Sequence, residues 1–299
     1  MKKTILLLPV LAGIMFGAAG VFVRNLTAYG MTNPTIIFLR TSFAALELLL
    51  LILLTDKSLL RIRPSDFLLF LVNGLSSMIG LTLCYNIAVN HLTLSLAAIL
   101  LSTAPIFVIF LAAIIFKEKI TKRKIFCMIL AILGCILASG LLESNTGLTI
   151  SLLGLLGGIA SAVLYALYSI FPRLSSDKEY HTYTIIFYSV LLAAILMLPF
   201  AQFRLIGGFV IEAPIRHIVL LIFHSLCLSV LPYVFITTAL TRAEAGLVSI
   251  FASGSEPIVA LIFGMIFYQE VPSFLAFCGM LVTITALVIL CKGTGVEKA

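Results

Sequence analysis

The sequence predicts an all-α integral membrane protein with about ten transmembrane helices, arranged as two inverted five-helix repeats. Three observations predict this fold: the composition, the length of the apolar runs, and a proline–glutamate pattern that occurs twice. Hydrophobic residues make up 62% of the 299 residues and charged residues only 10%, whereas about 25% of a typical soluble domain is charged. The composition excludes an ordinary soluble domain.

Ten apolar runs follow one another along the chain and are separated by short polar segments. Each run, at roughly 18 to 24 residues, is long enough to cross a hydrocarbon core of about 30 Å as a helix. The predicted spans, numbered one to ten, are residues 5–23, 34–54, 67–89, 95–116, 125–142, 150–171, 183–201, 216–240, 246–268 and 274–291. Because the loops leave no room for a soluble domain, residues 1–299 are predicted to form one membrane domain.

The net charge of +7 follows the orientation of these spans. If Lys2 and Lys3 are cytoplasmic, most other lysines and arginines also fall in inner segments, and only Arg24, Arg204 and Arg216 fall outside. Inserted helices show this positive-inside bias. We therefore predict a multi-pass protein of the cytoplasmic membrane with both termini in the cytoplasm, and no nucleic-acid partner.

The middle and the end of the chain carry the same pattern. Pro105 recurs as Pro257 and Glu118 recurs as Glu270, each displaced by 152 positions. The tetrapeptide Thr-Ile-Ile-Phe opens span two and recurs at the start of span seven. Ordered matches of this kind indicate a duplication, with repeats at residues 1–143 and 147–292. Since each copy has five spans, an odd number, the second copy must cross the membrane in the opposite sense.

The two prolines indicate where a site can lie. A proline inside a helix removes one backbone hydrogen bond. In lipid, such a defect is tolerated only where neighbouring protein or a water-filled cavity satisfies the freed groups. Inverted repeats with interrupted helices are typical of secondary transporters that bind substrate near the midplane. The pattern therefore favours a site between the two copies.

The chain resembles the EamA type of the drug/metabolite transporter superfamily. The likeness lies in the ten spans, the five-plus-five duplication, Arg40 early in span two, and the P…E pattern that closes spans four and nine. It covers essentially the whole chain and implies a carrier that often exports amino acids or related metabolites through a cavity lined by spans one, three, four, six, eight and nine. The chain departs from the pattern in having Phe16-Gly17 where the family often has Trp-Gly, and Cys127 where span ten keeps Gly279.

Glu256 is the first candidate site residue. Ionisable side chains at membrane depth are costly and usually functional, and this carboxylate stands directly before Pro257. It can bind a substrate ammonium or exchange a proton, or it can hydrogen-bond to the freed backbone. The first copy has Ala104 at the corresponding place, so the repeat itself does not require an acid there.

Arg40 and Glu47 share one face of span two, about 10 Å apart along the axis. We interpret Arg40 first as a structural latch or topology anchor that reaches outward, and second as a carboxylate-binding group; the role of Glu47 stays open. Glu118 and Glu270 end spans four and nine on opposite sides, where a charge costs little. We interpret them as boundary or gate residues.

Polar side chains at helical spacing form the rest of the candidate site. They can hydrogen-bond to or stack on an organic solute, or they can serve as interface anchors and helix–helix hydrogen bonds. These side chains are Tyr85, Asn86 and Asn90 in span three, Ser161, Tyr165 and Tyr168 in span six, and Tyr233 in span eight. His224, deep in span eight, is interpreted as a packing histidine, with a proton relay as the alternative.

The function predicted from these features is secondary transport of a small organic solute by alternating access, in the direction of export. The chain has no G-x-x-x-x-G-K-[ST] loop for ATP phosphates, so a proton or solute gradient remains as the energy source, and exchange without protons stays open. The predicted partners are the solute, the bilayer and protons; no cofactor, metal or oligomer is implied. The alternatives are a membrane-embedded enzyme acting on lipid and a channel or non-transporting membrane protein.

Overall fold

The computed structural model describes residue 5 and residues 7–115, 120–138, 151–174, 180–240 and 245–291. Every regular element in these ranges is a helix, and none of the described residues forms a strand. In chain order the helices are α1 (Leu7–Gly17 and Ala19–Ala28), α2 (Asn33–Thr55), α3 (Phe67–Asn73, Gly74–Leu81 and Thr82–His91), α4 (Leu94–Leu101 and Ala104–Ile115), α5 (Lys122–Ala138), α6 (Leu152–Leu174), α7 (Thr182–Met197), α8 (Phe203–Glu212), α9 (Pro214–Ser225, Leu226–Val230 and Leu231–Leu240), α10 (Ala245–Tyr268) and α11 (Phe274–Cys291). Short 3₁₀ turns at Lys57–Leu60, Pro64–Asp66 and Leu198–Phe200 connect them.

The helices form a multi-pass membrane protein, as predicted. Within the described residues, six helices are long and apolar enough to cross a membrane: Leu7–Ala28, Asn33–Thr55, Pro64–His91, Leu94–Ile115, Thr182–Phe200 and Pro214–Ala239. Shorter apolar stretches lie at Ile125–Gly134, Leu152–Tyr168, Ser255–Tyr268 and Phe274–Ala286. Each of the ten predicted spans thus contains one apolar helix, while the count of ten crossings remains a prediction.

Helix α8 was not predicted. It occupies part of the segment between spans seven and eight, and it packs mainly against α9. Phe209 is its buried residue, whereas Ile211 is 77% exposed. The segment lacks the length of a membrane span, and the glycine pair at 207–208 weakens the local helix signal. Tertiary contact through Phe209 therefore contributes to the formation of this helix.

The two repeated prolines lie in different local structures. Pro257 is inside the continuous helix α10, whereas α4 is interrupted after Leu101, so that Pro105 is the second residue of a new helical segment. The side chains at the break bond to carbonyls of the preceding turn: Ser102 Oγ donates to Ala98 O at 2.8 Å, and Thr103 Oγ1 donates to Leu100 O at 2.6 Å. Ala98 O and Leu100 O also accept backbone N–H bonds from Ser102 at 2.9 Å and Thr103 at 3.1 Å, so each side chain adds a second bond to its carbonyl at the break.

Helices α3 and α9 each contain a π-helical segment, at Gly74–Leu81 and Leu226–Val230. The two segments begin 152 positions apart, which is the displacement of the repeated prolines. π-helical turns are rare and occur frequently at functional sites. The matched pair is therefore a structural counterpart of the sequence repeat.

Helix packing follows the duplication. The first repeat contributes α1–α5, and the second contributes α6, α7, α9, α10 and α11 in the same order. Helix α1 packs against α9 and α10, while α6 packs against α3 and α4; α2 packs against α7, and α5 against α11. If each helix is replaced by its counterpart in the other repeat, the contacts of α1 with α9 and α10 become the contacts of α6 with α3 and α4. The α2–α7 and α5–α11 contacts each become themselves. A duplicated five-helix unit produces this contact pattern.

Glycines permit the closest of these approaches. Gly13 and Gly17 of α1 lie against α10, and Gly158 of α6 lies against α4. A Cβ atom added at Gly17 would lie only 2.8 Å from the carbonyl oxygen of Glu256 and 2.7 Å from Cβ of Val259. Small residues let membrane helices pack backbone to backbone. Gly17 thus sets the distance between α1 and the part of α10 that carries Glu256.

Candidate functional site

A buried cavity lies where helices of both repeats meet. It leaves about 40 Å³ open to the centres of water molecules, which is room for a few waters at roughly 10–15 Å³ each. Drug-sized ligands occupy roughly 300–1,000 Å³, so the helices enclose the cavity tightly in this conformation. Its lining residues come from α1, α2, α3, α4, α6, α9 and α10: Phe16, Ala19, Val23, Arg40, Leu81, Thr82, Tyr85, Asn86, Leu101, Tyr165, Leu228, Tyr233 and Glu256.

Glu256 contributes a carboxylate from α10. The residue is only 4% exposed, and its Oε1 atom has no hydrogen-bond partner among the described residues. An ionised carboxylate in such a place loses its hydration without full compensation. A polar or cationic group in the cavity would supply the missing contact.

Arg40 contributes a guanidinium from α2. Its Nη2 atom donates to Thr82 Oγ1 at 2.5 Å and to Met78 O at 3.4 Å, both on α3. Its Nε atom is buried and has no partner among the described residues. The side chain points into the bundle and joins α2 to α3, so it does not reach outward along the helix. These bonds fit a structural latch, while the unpartnered Nε atom leaves the carboxylate-binding interpretation open.

The two charges do not neutralise each other. The ion pair found within the described ranges joins Arg24 to Glu270, and Arg40 and Glu256 have no such contact there. A guanidinium from the first repeat and a carboxyl group from the second therefore line one enclosed space. Asn86 lines the same space; it is 1% exposed and its Nδ2 atom has no partner in the described part of the chain.

Aromatic rings complete the wall on the side of α6 and α9. Tyr165 and Tyr233 line the cavity, and Tyr168 packs behind both, with ring centroids 6.1 Å from Tyr165 and 5.2 Å from Tyr233. Phe16 meets Tyr233 edge to face at 5.6 Å. Phe16, which stands where the family often has tryptophan, is therefore part of the cavity wall. Such rings can stack on an organic solute and donate hydrogen bonds to it.

Two predicted residues lie elsewhere. Ser161 is buried within α6, where its Oγ donates to Gly158 O at 2.7 Å. Asn90 is exposed at the end of α3, and its Nδ2 donates to Asn33 Oδ1 at 3.4 Å. Helical spacing places both residues on the same faces as cavity residues, but neither lines the cavity. The Ser161 hydroxyl is bonded to its own helix backbone, and Asn90 lies at the exposed end of α3.

Glu47 and His224 are not among the residues that line the cavity. Ser225 Oγ donates to Glu47 Oε1 at 2.5 Å, which joins α9 to α2. The His224 ring stacks on Phe22 with centroids 5.3 Å apart, and neither ring nitrogen has a partner within the described ranges. The stacking accords with the packing interpretation, and the proton-relay interpretation stays open.

The remaining predicted residues concern the helix ends. Glu270 binds Arg24, a residue that the sequence marked only as an outer positive charge. Glu118 lies outside the described residues. Thr82, which accepts from Arg40, was also missed, although its position four residues before Asn86 places it on the same helical face.

Comparison with known proteins gives consistent matches. A model of the EamA-like transporter family matches residues 3–140 and 152–291. The Pseudopaline exporter CntI of Pseudomonas aeruginosa strain UCBPP-PA14 is 27% identical over 294 residues, which cover 97% of this chain and 96% of that protein. The uncharacterized transporter YetK of Bacillus subtilis is 26% identical over 245 residues, covering 81% of this chain and 73% of YetK. A solved crystal structure superposes with a TM-score of 0.64 over 96% of both chains at 14% identity, which shows a shared fold.

Proposed function

Because the chain belongs to the EamA-like transporter family, we propose that this membrane transporter is a secondary exporter of amino acids or related zwitterionic metabolites. Its family and its relatives identify it as a transporter and not an enzyme. The substrate, direction and coupling are the subject of the proposal. The proposal also includes two inverted five-helix repeats, at residues 1–143 and 147–292, that alternate the access of one cavity between the two faces of the cytoplasmic membrane.

The observation that carries the proposal is that the cavity holds a guanidinium and a carboxyl group that are not paired with each other. Arg40 presents a guanidinium with a buried, unpartnered Nε atom, and Glu256 presents a carboxylate with an unpartnered oxygen among the described residues. A guanidinium matches a substrate carboxylate in charge and geometry, and a carboxylate matches a substrate ammonium. A substrate that carries both an ammonium and a carboxylate can pair with Glu256 and Arg40 at the same time. A substrate with only one of these groups leaves either Glu256 or Arg40 buried without a partner.

Two further features support an exporter of this kind. The CntI relative, which matches over almost the whole chain, is named as an exporter. The pairing of helices across the repeats suits a carrier whose two halves rock about a central site. In the proposed direction of export, the cavity takes up its solute from the cytoplasmic side, where the distribution of lysine and arginine predicts both termini to lie.

Transport into proteoliposomes with Glu256→Gln tests the role of the carboxylate. The substitution keeps the shape of the side chain and removes its charge, so a substrate ammonium loses a charged hydrogen bond that contributes about 1.5–3 kcal/mol. We expect the apparent affinity to fall by about ten- to hundredfold. Glu212→Gln, an exposed glutamate at the end of α8, is the matched control and should transport normally. Normal transport by Glu256→Gln would remove this residue from the mechanism.

A substrate series tests the role of Arg40. An amino acid, the amine without its carboxylate and the acid without its amino group are compared as competitors of transport. The wild type should prefer the amino acid over both analogues, and Arg40→Gln should lose only the preference for the carboxylate. Equal competition by all three compounds in the wild type would refute a zwitterion site.

Proton coupling is tested in the same vesicles. Collapse of an imposed pH gradient should abolish accumulation of the amino acid if Glu256 exchanges a proton with its substrate. It should leave exchange of labelled for unlabelled amino acid intact. Accumulation that survives the collapse would leave a solute gradient or facilitated exchange as the driving force.

A further inference from the structure

The Arg24 side chain of α1 contacts the ends of several helices at one end of the bundle. Arg24 Nη1 lies 2.5 Å from Glu270 Oε1. Arg24 Nε donates to Val89 O at 3.0 Å, and Nη2 donates to Leu92 O at 2.7 Å. The guanidinium carbon lies 4.6 Å from the centre of the Tyr268 ring. One side chain thus contacts the ends of α3 and α10 at the same time.

Its partner Glu270 reaches a fourth helix. Glu270 Oε2 accepts a hydrogen bond from the backbone N–H of Leu94 at 2.8 Å, the first residue of α4. Gln269 has a φ angle of 55°, and the backbone N–H of Glu270 donates to Gly264 O at 3.1 Å, so the chain turns back and places the carboxylate beside α4. A Cβ atom at Gly264 would lie 2.9 Å from Glu270 Oε2, so the glycine leaves room for the carboxylate.

Each charge meets the helix end that it complements. Carbonyl groups are unsatisfied at the C-terminus of a helix and N–H groups at its N-terminus, so a cation at the end of α3 and an anion at the start of α4 are both favourable. The side chains of Arg24 and Glu270 are 19% and 17% exposed, so the pair is not fully buried. Breaking a partly exposed ion pair costs less than breaking a fully buried one.

We propose that Arg24 and Glu270 form a latch that closes the cavity at this end of the bundle, and that the pair must separate before the cavity opens there. The four helices that the latch joins, α1, α3, α4 and α10, all contribute to the cavity wall. Val23, next to Arg24 in the chain, is itself a lining residue. In the proposed orientation this end faces outward, so the latch is the outer gate of the exporter; this role depends on the proposed function.

The sequence shows that both partners belong to the repeat. Arg173 stands eleven residues before the second Thr-Ile-Ile-Phe, as Arg24 does before the first. Glu118 and Glu270 each stand thirteen residues after the proline of their repeat. The residue types of the latch are therefore part of the duplicated unit and not a chance pairing at one helix end.

Labelling of a cysteine in the cavity tests the latch without any substrate. Ala19 lines the cavity and is 8% exposed, so Ala19→Cys reports access to it. Right-side-out and inside-out vesicles are treated with a membrane-impermeant thiol reagent, and the labelling rate at position 19 is read by peptide mass spectrometry. We expect Arg24→Gln and Glu270→Gln each to raise this rate about tenfold, equivalent to about 1.4 kcal/mol, and only from the Arg24 side. Arg216→Ala, an exposed arginine at the start of α9, should leave the rate unchanged.

The double variant distinguishes a latch from two separate helix caps. If the two residues act as one pair, Arg24→Gln with Glu270→Gln should label no faster than either single variant. Additive increases, an increase from both sides of the membrane, or wild-type rates in folded variants would each overturn the proposal. Should the glutamine variants fail to give a single folded species on gel filtration, Arg24→Lys keeps the charge and loses the fork of donors. It should then label at an intermediate rate, and a wild-type rate would count against the latch.

The labelling assay also separates this proposal from the proposed function. A chain that moves no amino acid can still show gated access at position 19, which would leave the latch standing and refute the substrate. A chain that transports amino acids with unchanged labelling in the latch variants would refute the latch and leave the substrate standing.

Discussion

The contact between α1 and α10 at Gly17 gives the sharpest test of the packing that positions Glu256. In Gly17→Ala the new Cβ atom would lie 2.7 Å from Val259 Cβ and 2.8 Å from the Glu256 carbonyl oxygen. Carbon atoms in contact lie about 3.5–4.0 Å apart, so the helices must separate by about 1 Å. Overpacking of this kind costs about 1–3 kcal/mol. The same movement displaces Glu256 from the cavity, so substrate affinity should fall together with stability.

The measurement is the midpoint of thermal unfolding in detergent, followed by a dye that reacts with exposed cysteines. Gly17→Ala should lower the midpoint by roughly 2–12 °C, at about 2–4 °C per kcal/mol for a chain somewhat smaller than this one. Gly207→Ala is the matched control, because nothing lies within 4 Å of a Cβ atom added there. Alanine is favoured over glycine in a helix by about 1 kcal/mol, so this control should unfold at the same or a higher temperature. If Gly17→Ala unfolded as late as Gly207→Ala, the close approach of α1 and α10 would be wrong.

Two further predictions concern polar side chains of α3. Asn86→Ala should weaken substrate binding about tenfold, as the loss of one hydrogen bond of about 1 kcal/mol or slightly more implies. Asn90→Ala should transport like the wild type, because this residue is exposed outside the cavity. Equal effects of the two substitutions in a proteoliposome assay would contradict the assignment of Asn86, and not Asn90, to the cavity wall. Asn73 Nδ2 donates to Ser189 Oγ at 2.8 Å in a buried contact between α3 and α7, and a double-mutant cycle of Asn73→Ala and Ser189→Ala on the free energy of unfolding should give a coupling of about 0.5–1.5 kcal/mol. A coupling near zero would show that the bond does not stabilise the protein.

The sequence predicts the membrane fold and its family because both depend on signals that are local or periodic. Apolar length determines where helices cross, and the spacing of 152 between the prolines reveals the repeat. Polar residues in an apolar helix must face protein or a cavity, and the structure places Glu256 and Tyr165 in one wall. Their roles in transport remain predictions.

Features that depend on contacts between distant segments could not be predicted in this way. Arg24 and Glu270 are 246 residues apart in the chain, and neither has a local pattern that names its partner. The spacing of Asn86 and Asn90 indicates a shared helical face but does not distinguish mid-helix from helix end. Helix α8 and the π-helical segments arise from packing, for which intrinsic propensity is a weak guide.

The π-helical segment Gly74–Leu81 in α3 has a consequence for insertions and deletions. A π turn accommodates an extra residue in a helix, so removal of one residue inside this segment can be absorbed by conversion to α-helical geometry while both halves of α3 keep their phase. The same removal between the π-helical segment and Tyr85 would rotate all downstream side chains by about 100° and turn Tyr85 away from the cavity. Natural length variation within this helix should therefore be concentrated in the π-helical segment.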